Sequence, residues 1–168
     1  RVTHSLTQEA QTLFSTAHGV LGTLSQMDPL CFGPLDECER LLRRVHRQFP
    51  EYTNFSRVDR RGFIVASSTP MYEPVDVSDA VNIQNAFETG TLSLSRFVIG
   101  PLTGKPVIVF SQPLTNDDGE VIGTINTGLS LDLLDRYLAE AGDAAQYQVA
   151  VFDDKGTVLA AHLANSMA

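Results

Sequence analysis

The side chain in this sequence best suited to binding a small anion is Arg96, in the stretch LSLSRFVI at positions 92–99. Apolar and polar residues alternate there, which predicts a strand with Leu92, Leu94, Arg96 and Val98 on one face. A guanidinium in such a strand can bind a carboxylate through two parallel hydrogen bonds. An outward-facing charge or an ion pair is the alternative, and the sequence leaves both open.

Other polar side chains lie where predicted strands end, at the carboxyl ends of 105–112 and 120–126. A small-molecule pocket needs a few such groups converging in an apolar surround, although strand ends can also simply face water. Tyr72 lies in a loop and could cover the mouth of such a pocket. The predicted ligand-binding residues are therefore Arg96, Ser111, Gln112, Asn126, Thr127 and Tyr72.

The segments that resemble phosphate-binding or calcium-binding motifs do not have the residue spacing that those motifs require. The stretch GPLTGKP at 100–106 has three residues between its glycines and Pro106 after the lysine, whereas a phosphate-binding loop needs four residues and Ser or Thr. TNDDGE would place Leu114 and Ile125 at the first and twelfth ligand positions of a calcium loop. No H-E-x-x-H pair or G-x-S-x-G elbow occurs, and the histidines are scattered, at His4, His18, His46 and His162. We therefore expect no enzyme activity in this chain, and no cofactor or metal.

The two cysteines, Cys31 and Cys38, lie in the segment CFGPLDEC. Gly33 and Pro34 between them permit the chain to reverse, so a disulfide is one interpretation and two free thiols are the other. A disulfide would indicate an oxidising compartment.

Composition and charge exclude some classes of partner. The chain has 168 residues, is 43% hydrophobic and carries a formal net charge of −8. Nucleic acids are bound through clustered Lys and Arg, and the basic cluster here, RLLRRVHR at 40–47, has the spacing of the wet face of a helix. There is no apolar run of about 18–20 residues, the length that spans a membrane. Because the chain opens on Arg1 within a helical pattern, we expect an excised portion of a longer protein.

Hydrophobic spacing predicts a long helix at 3–26, with a heptad rhythm that suits either a helix–helix contact or packing on a sheet. Three segments with Asp or Asn and a closing Gly, at 59–62, 116–119 and 153–156, have the composition of hairpin turns. The further predicted helices are 35–48, 78–88 and 130–141. The predicted strands are 52–58, 63–67, 92–99, 105–112, 120–126, 147–152 and 157–161. Strands that follow one another without crossover helices indicate an α+β fold with an antiparallel sheet.

Several motifs in this order resemble a Cache domain, a PAS-like extracytoplasmic sensor module of bacterial receptors. They are a helix ending in PEY, the hairpin around DRRG, AFETG, TGKPV, PLTNDDGEVIG and SLDLL. The resemblance covers about residues 35–140, and the helix before it fits the membrane-emerging helix of that family. It implies a PAS-like antiparallel five-stranded sheet flanked by a long N-terminal helix and shorter helices. The Arg-x-Trp-Tyr cluster of the amino-acid-binding subgroup is missing, so an amino-acid ligand is not implied.

In the double-Cache form, a second, membrane-proximal module follows. Residues 1–142 would then be the N-terminal helix with the membrane-distal sensor domain, and 143–168 the first hairpin of a truncated second module. The resemblance implies a periplasmic ligand-sensing domain of an inner-membrane receptor, with a sensor histidine kinase as the first expectation. It also implies a small-molecule ligand, for which Arg96 suggests a carboxylate, and a homodimer formed through the N-terminal helix. The alternative is a ligand-free dimerisation module of a receptor such as a diguanylate cyclase or a chemotaxis protein.

Overall fold

A computed structural model describes the backbone of residues 2–133, 148–152 and 158–163. The helices that lie wholly in this part of the chain are α1 (Val2–Leu24), α2 (Asp28–Cys31), α3 (Leu35–Gln48) and α4 (Val81–Thr89), and residues 131–133 are also helical. The predicted helix at 35–48 is confirmed with the same bounds, and the long N-terminal helix is confirmed within two residues at each end. No helix in the described part of the chain is both long and apolar enough to cross a membrane.

Antiparallel strands form the main sheet. In chain order they are β1 (Tyr52–Asp59), β2 (Phe63–Ser67), β3 (Val75–Asp76), β4 (Ser93–Leu94), β5 (Val98–Ile99), β6 (Pro106–Thr115) and β7 (Val121–Ser130). Their order across the sheet is β3-β2-β1-β7-β6-β4, and β5 also pairs with β6. The α+β, PAS-like architecture predicted from the sequence is thus confirmed.

Seven segments pair in this sheet, where five strands were predicted, because β3 is added and the stretch 92–99 forms two short strands. The break in that stretch has a local cause at Ser95. The backbone N–H of Ser95 donates to the carbonyl of Val109 at 2.8 Å, but its side-chain hydroxyl accepts the N–H of Val109, also at 2.8 Å. The hydroxyl thereby takes the place of a backbone acceptor, and regular pairing resumes at Val98.

The larger core lies between one face of the sheet and helices α1, α2 and α3. The heptad positions Leu13, Ala17 and Leu24 of α1 are buried in it, together with Leu21 beside them. The hydroxyl of Tyr52, at the start of β1, donates a 2.7 Å hydrogen bond to the carbonyl of Leu13. The apolar stripe of α1 therefore packs on the chain's own sheet.

The first two predicted hairpin turns are confirmed, and both use the same chemistry. Gly62 and Gly119 have φ of 85° and 81°, in the left-handed region that favours glycine. In the first turn, one carboxylate oxygen of Asp59 accepts the N–H groups of Arg61 and Phe63, at 2.9 and 3.0 Å. The third turn, at 153–156, lies outside the described residues. The strands that flank it, β8 (Gln148–Phe152) and β9 (Val158–Leu163), pair antiparallel in a separate two-stranded sheet, as predicted.

Two details of the predicted helices differ. Helix α4 begins at Val81 and not after Ser78, because the N–H of Ser78 donates to the side chain of Asp76 at 2.9 Å in a turn that precedes the helix. The predicted end of that helix is confirmed, since Gly90 adopts the left-handed conformation with φ of 65°. At the start of the predicted helix 130–141, the hydroxyl of Ser130 accepts the N–H of Asp132 at 3.2 Å; residues 134–141 lie outside the described part of the chain.

Cys31 and Cys38 are free thiols in this structure, and both are buried in the larger core. The thiol of Cys31 donates to the carbonyl of Ser25 at 3.3 Å. Burial raises the pKa of Cys38 to about 11, although the Arg57 guanidinium opposes that rise. Of the two interpretations of CFGPLDEC, the structure has the one without a disulfide.

Candidate functional site

A cavity of about 290 Å³ lies on the face of the sheet opposite α1. Strands β1, β6 and β7 form its floor, and the segments 76–83 and 98–103 form its walls and mouth. Its apolar lining comes mainly from Val58, Ile64, Ile83, Val98, Ile99, Leu102, Val107 and Val109. The volume lies at the small end of the range for small-molecule sites, and the combination of an apolar lining with a few polar groups is typical of them.

The pleat of the strands determines which side chains face the cavity. Along β6, Val107 and Val109 line the cavity, whereas Ile108 and Phe110 between and beside them belong to the core under α1. This alternation is the period of two expected for a sheet that is covered on both faces.

A row of polar side chains crosses the floor of the cavity. Ser56 of β1 pairs with Asn126 of β7, which in turn pairs with Ser111 of β6. All three are buried. The amide of Asn126 donates to the carbonyl of Ser56 at 3.3 Å, and the amide of Asn82 on α4 donates to the hydroxyl of Ser111 at 2.8 Å. The row therefore joins the floor to the helix that covers it.

The structure brings three of the six predicted ligand-binding residues together at the cavity. Asn126 and Thr127 line it, and Ser111 lies directly behind the lining residue Asn82. The hydroxyl of Thr127 is engaged with the carbonyl of Asn54 at 2.7 Å.

The other three predicted residues lie elsewhere. Arg96 is exposed and outside the lining, in the break between β4 and β5. Gln112 lies two residues from each of the core residues Phe110 and Leu114, so it shares their face towards the helices. Its side-chain oxygen is buried without a hydrogen-bond partner. Tyr72 is fully exposed and does not contribute to the lining.

Sequence reasoning missed the polar residues that precede and open α4, namely Asp76, Asp79 and Asn82. All three line the cavity. The backbone N–H of Ser78, and then its side chain, hold the pKa of the Asp76 carboxyl below its usual value. The available signal was the segment PVDVSDA, which places two carboxylates three residues apart just before a predicted helix.

The lining contains two carboxylates and no Lys, Arg or His, counted over the residues that the structure describes. The mouth of the cavity is therefore negative. In the same part of the chain, no group of three or more His, Cys, Asp or Glu side chains is placed to hold a metal ion. The arrangement can bind a small molecule and orient it by hydrogen bonds.

The segment that closes one side of the mouth is apolar and partly exposed. Val98 and Ile99 line the cavity and keep 38% and 62% of their surface accessible to solvent. The loop after them is a tight turn, in which the N–H of Gly100 donates to the carbonyl of Lys105 at 2.8 Å and the N–H of Gly104 to the carbonyl of Gly100 at 2.8 Å.

Comparisons with solved structures identify the fold. The extracellular domain of the putative histidine kinase rpHK1S-Z16 matches with a TM-score of 0.78 and 19% identity, over 94% of this chain and 66% of that one. The sensor domain of the Vibrio cholerae histidine kinase DctB matches with a TM-score of 0.74 and 17% identity, over 95% and 64% of the two chains. The ligand-binding domain of the Campylobacter jejuni chemoreceptor Tlp3, in complex with L-valine, matches with a TM-score of 0.69 and 15% identity, over 95% and 66%.

This chain thus spans 64–66% of the length of these three domains. No family model matches the sequence, and no curated protein matches it. At these identities the likeness establishes a shared fold, and that fold is the one the Cache resemblance implied.

Proposed function

We propose that this chain is the ligand-sensing domain of a transmembrane signal-transduction receptor, lies outside the cytoplasm and binds a small molecule in the cavity under α4. The observation that carries the proposal is the cavity itself, which combines an apolar lining with polar groups converging from β1, β7 and α4. The neighbours named above are sensor or ligand-binding domains of receptors, which supports the same function. A periplasmic location and a histidine kinase as the output domain are parts of this proposal.

A route from the cavity to α1 runs through the thickness of the sheet. Ser111 accepts a hydrogen bond from Asn82 on α4. Its neighbour Phe110 faces the core on the opposite side of the sheet, where the centroid of its ring lies 5.0 Å from that of Phe14 on α1. A ligand that moves α4 or β6 therefore acts on residues one position away from those that hold α1. Packed cores respond to such displacements by shifting whole elements, since they have little free volume.

Homodimerisation through α1 is part of the same proposal. The stripe Leu13, Ala17, Leu21 and Leu24 is occupied by the chain's own sheet, so a dimer would use the outward face of the helix. That face includes Ser15 and Gly19, and the space where a Cβ of Gly19 would lie is open. Small side chains there would let two helices approach closely. A sedimentation experiment in which Gly19→Glu converts a dimer into a monomer would support this contact, and a monomeric wild type would refute it.

Residues 143–168 are proposed to begin a second module of the same type. The support is the hairpin β8–β9, which forms its own sheet and repeats the Asp-x-x-Gly turn sequence of the β1–β2 hairpin. A chain ending at residue 142 should then keep its cavity and its ligand. Loss of both on this truncation would show that the hairpin is part of the first domain.

The proposal is tested by a thermal-shift screen of small amines, carboxylates, sugars and nucleobases against the wild-type chain and two variants. A ligand present at about ten times its Kd should raise the melting temperature by about 3–6 °C. Val109→Phe fills the cavity and should abolish the shift. Arg96→Ala tests the sequence prediction that Arg96 binds the ligand. A retained rise in melting temperature would agree with its position outside the lining, and loss of the rise would show that Arg96 takes part in binding. A flat screen, with melting that rises with protein concentration, would instead support the ligand-free dimerisation module.

A further inference from the structure

Three of the side chains on the cavity floor already donate hydrogen bonds within the sheet, whereas the amide of Asn54 and the hydroxyl of Ser56 donate none among the described residues. The side-chain amide of Asn126 donates to the carbonyls of Ser56 and Thr124, at 3.3 and 3.4 Å. The hydroxyl of Thr127 donates to the carbonyl of Asn54 at 2.7 Å, and that of Thr53 to the carbonyl of Gly128 at 3.2 Å. These contacts satisfy backbone carbonyls within the sheet, so they hold the floor together, and the protons of Asn126, Thr127 and Thr53 that make them are not available to a ligand.

Acceptors around the cavity include groups that the chain itself does not fully pair. The Asp76 carboxylate accepts the N–H of Ser78 at 2.9 Å and also interacts with the Ser78 side chain. Asp79 makes no hydrogen bond or ion pair within the described part of the chain. Asn82 is 7% exposed and directs its amide N–H₂ to Ser111, and its carbonyl oxygen accepts no hydrogen bond from the described residues. A ligand that covers this oxygen should bring a donor, because an acceptor left unpaired on desolvation costs free energy.

The charges around the cavity also favour a ligand that carries hydrogen-bond donors. Its lining includes Asp76 and Asp79, both exposed to solvent, and contains no Lys, Arg or His among the described residues. A bound carboxylate would lie beside like charges without a guanidinium or ammonium to balance it, whereas a protonated amine would meet opposite charge at the mouth. The valine and isoleucine side chains of the lining suit an apolar body.

We propose, on the basis of the sensing function proposed above, that the ligand is a small primary or secondary amine with an apolar body and no carboxylate. Its ammonium group contacts Asp76 and Asp79, a donor reaches the carbonyl oxygen of Asn82, and its apolar part lies against Val58 and Val109. This ligand differs from the carboxylate that Arg96 suggests, since Arg96 lies outside the lining.

The test compares primary amines, from butylamine to phenylethylamine, with the carboxylate and the alcohol of the same skeleton. The readouts are the melting temperature and isothermal titration calorimetry on the whole chain. At least one amine should raise the melting temperature by about 3–6 °C at ten times its Kd, and its carboxylate should have no effect. The shift should be lost in the double variant Asp76→Asn/Asp79→Asn. Asparagine at position 76 keeps an oxygen to accept the N–H of Ser78. Asp117→Asn removes one exposed carboxylate in the turn before β7, outside the lining, and should keep the shift.

Two outcomes would overturn the inference, and they are distinguishable. A shift produced only by carboxylates or alcohols, abolished by Val109→Phe and retained in the double aspartate variant, would contradict the amine and leave the sensing function standing. The absence of any shift from the three series and from the broader screen would contradict both.

Discussion

The side-chain amide of Asn82 donates a 2.8 Å hydrogen bond to the hydroxyl of Ser111, and this contact joins the helix over the cavity to the strand that forms its floor. Ser111 is fully buried, and it ends the polar row that begins at Ser56 and passes through Asn126. The position of α4 over the cavity is therefore fixed from inside the site. A ligand that competes for Asn82 acts on the helix and on β6 at once.

The two variants that remove this hydrogen bond should lower the free energy of unfolding by different amounts. Asn82→Ala leaves the buried hydroxyl of Ser111 without a partner, which should lower the free energy of unfolding by about 1–3 kcal/mol. Ser111→Ala should cost less, because the amide of Asn82 faces the cavity and can bind water there. Urea denaturation measures both, with Asn85→Ala, an exposed position on α4, as the control. Losses in both variants no larger than that of Asn85→Ala would show that the hydrogen bond does not hold α4.

The bond between Tyr52 and the carbonyl of Leu13 should contribute to the docking of α1. Tyr52→Phe keeps the buried ring and removes the hydroxyl, so the expected loss in the free energy of unfolding is about 0.5–1.5 kcal/mol. Hydrogen exchange should speed up in α1 more than in β6 and β7. An unchanged unfolding free energy, with unchanged exchange in α1, would refute a role for this contact.

Two glycines should respond to alanine with opposite signs. A Cβ at Gly123 would collide with the carbonyl oxygen of Val58 on the neighbouring strand, and neither backbone can move freely, so Gly123→Ala should destabilise the chain by about 1–3 kcal/mol. At Gly19, within α1, the same Cβ would meet nothing within 4 Å. Gly19→Ala should therefore stabilise the chain by up to about 1 kcal/mol, the difference in helix propensity. Thermal and urea unfolding of both variants measure the signs, and a stabilising Gly123→Ala would contradict the close strand pairing.

The hairpins and helices of this fold could be predicted because their signals are local. An aspartate that caps its own turn and a glycine at positive φ act within five residues, as at Asp59 and Gly62. The bounds of α3 likewise follow from Pro34 before it and Pro50 after it. The partner of the α1 stripe could not be predicted, since the same heptad spacing serves a helix–helix contact and a helix on a sheet.

The site was harder to predict because it depends on register and on one irregular strand. Asn126 and Ser111 come together only through the pairing of β6 with β7, which the sequence does not specify residue by residue. Arg96 was expected on a regular strand, but the hydroxyl of Ser95 interrupts the pairing just before it. The acidic residues before α4 belong to a loop in sequence, and only the tertiary fold places them at a cavity.

The thiol of Cys38 should be unreactive in the native state. Its pKa is raised to about 11 by burial, so at pH 8 the thiolate that reacts with disulfide reagents is scarce. A thiol assay with Ellman's reagent should detect two thiols only after unfolding in guanidinium without reductant. Prompt reaction of Cys38 in the native state would contradict its burial, and no thiols after unfolding would show that Cys31 and Cys38 are bridged.

The same shift predicts a loss of stability in alkali. Cys38 releases its proton more readily in the unfolded chain, where its pKa has the ordinary value of 9.0, than in the folded one, where it is about 11. Its contribution to stability is therefore complete below pH 9 and falls as the pH rises towards 11. Urea denaturation at pH 8 and pH 10.5 should show a smaller decline for Cys38→Ala than for the wild type. An equal decline in both would assign the effect to other groups.

Amide chemical shifts recorded by ¹H–¹⁵N NMR would locate a small molecule bound between α4 and the sheet. The chain is titrated with the compound that most raises its melting temperature. We expect saturable shifts concentrated at Ser56, Asn82, Asn126 and the segment 98–103, with smaller shifts reaching α1 and no saturable shifts in Val109→Phe. Shifts confined to the outer face of α1, or saturable binding that persists in Val109→Phe, would rule out binding in this cavity.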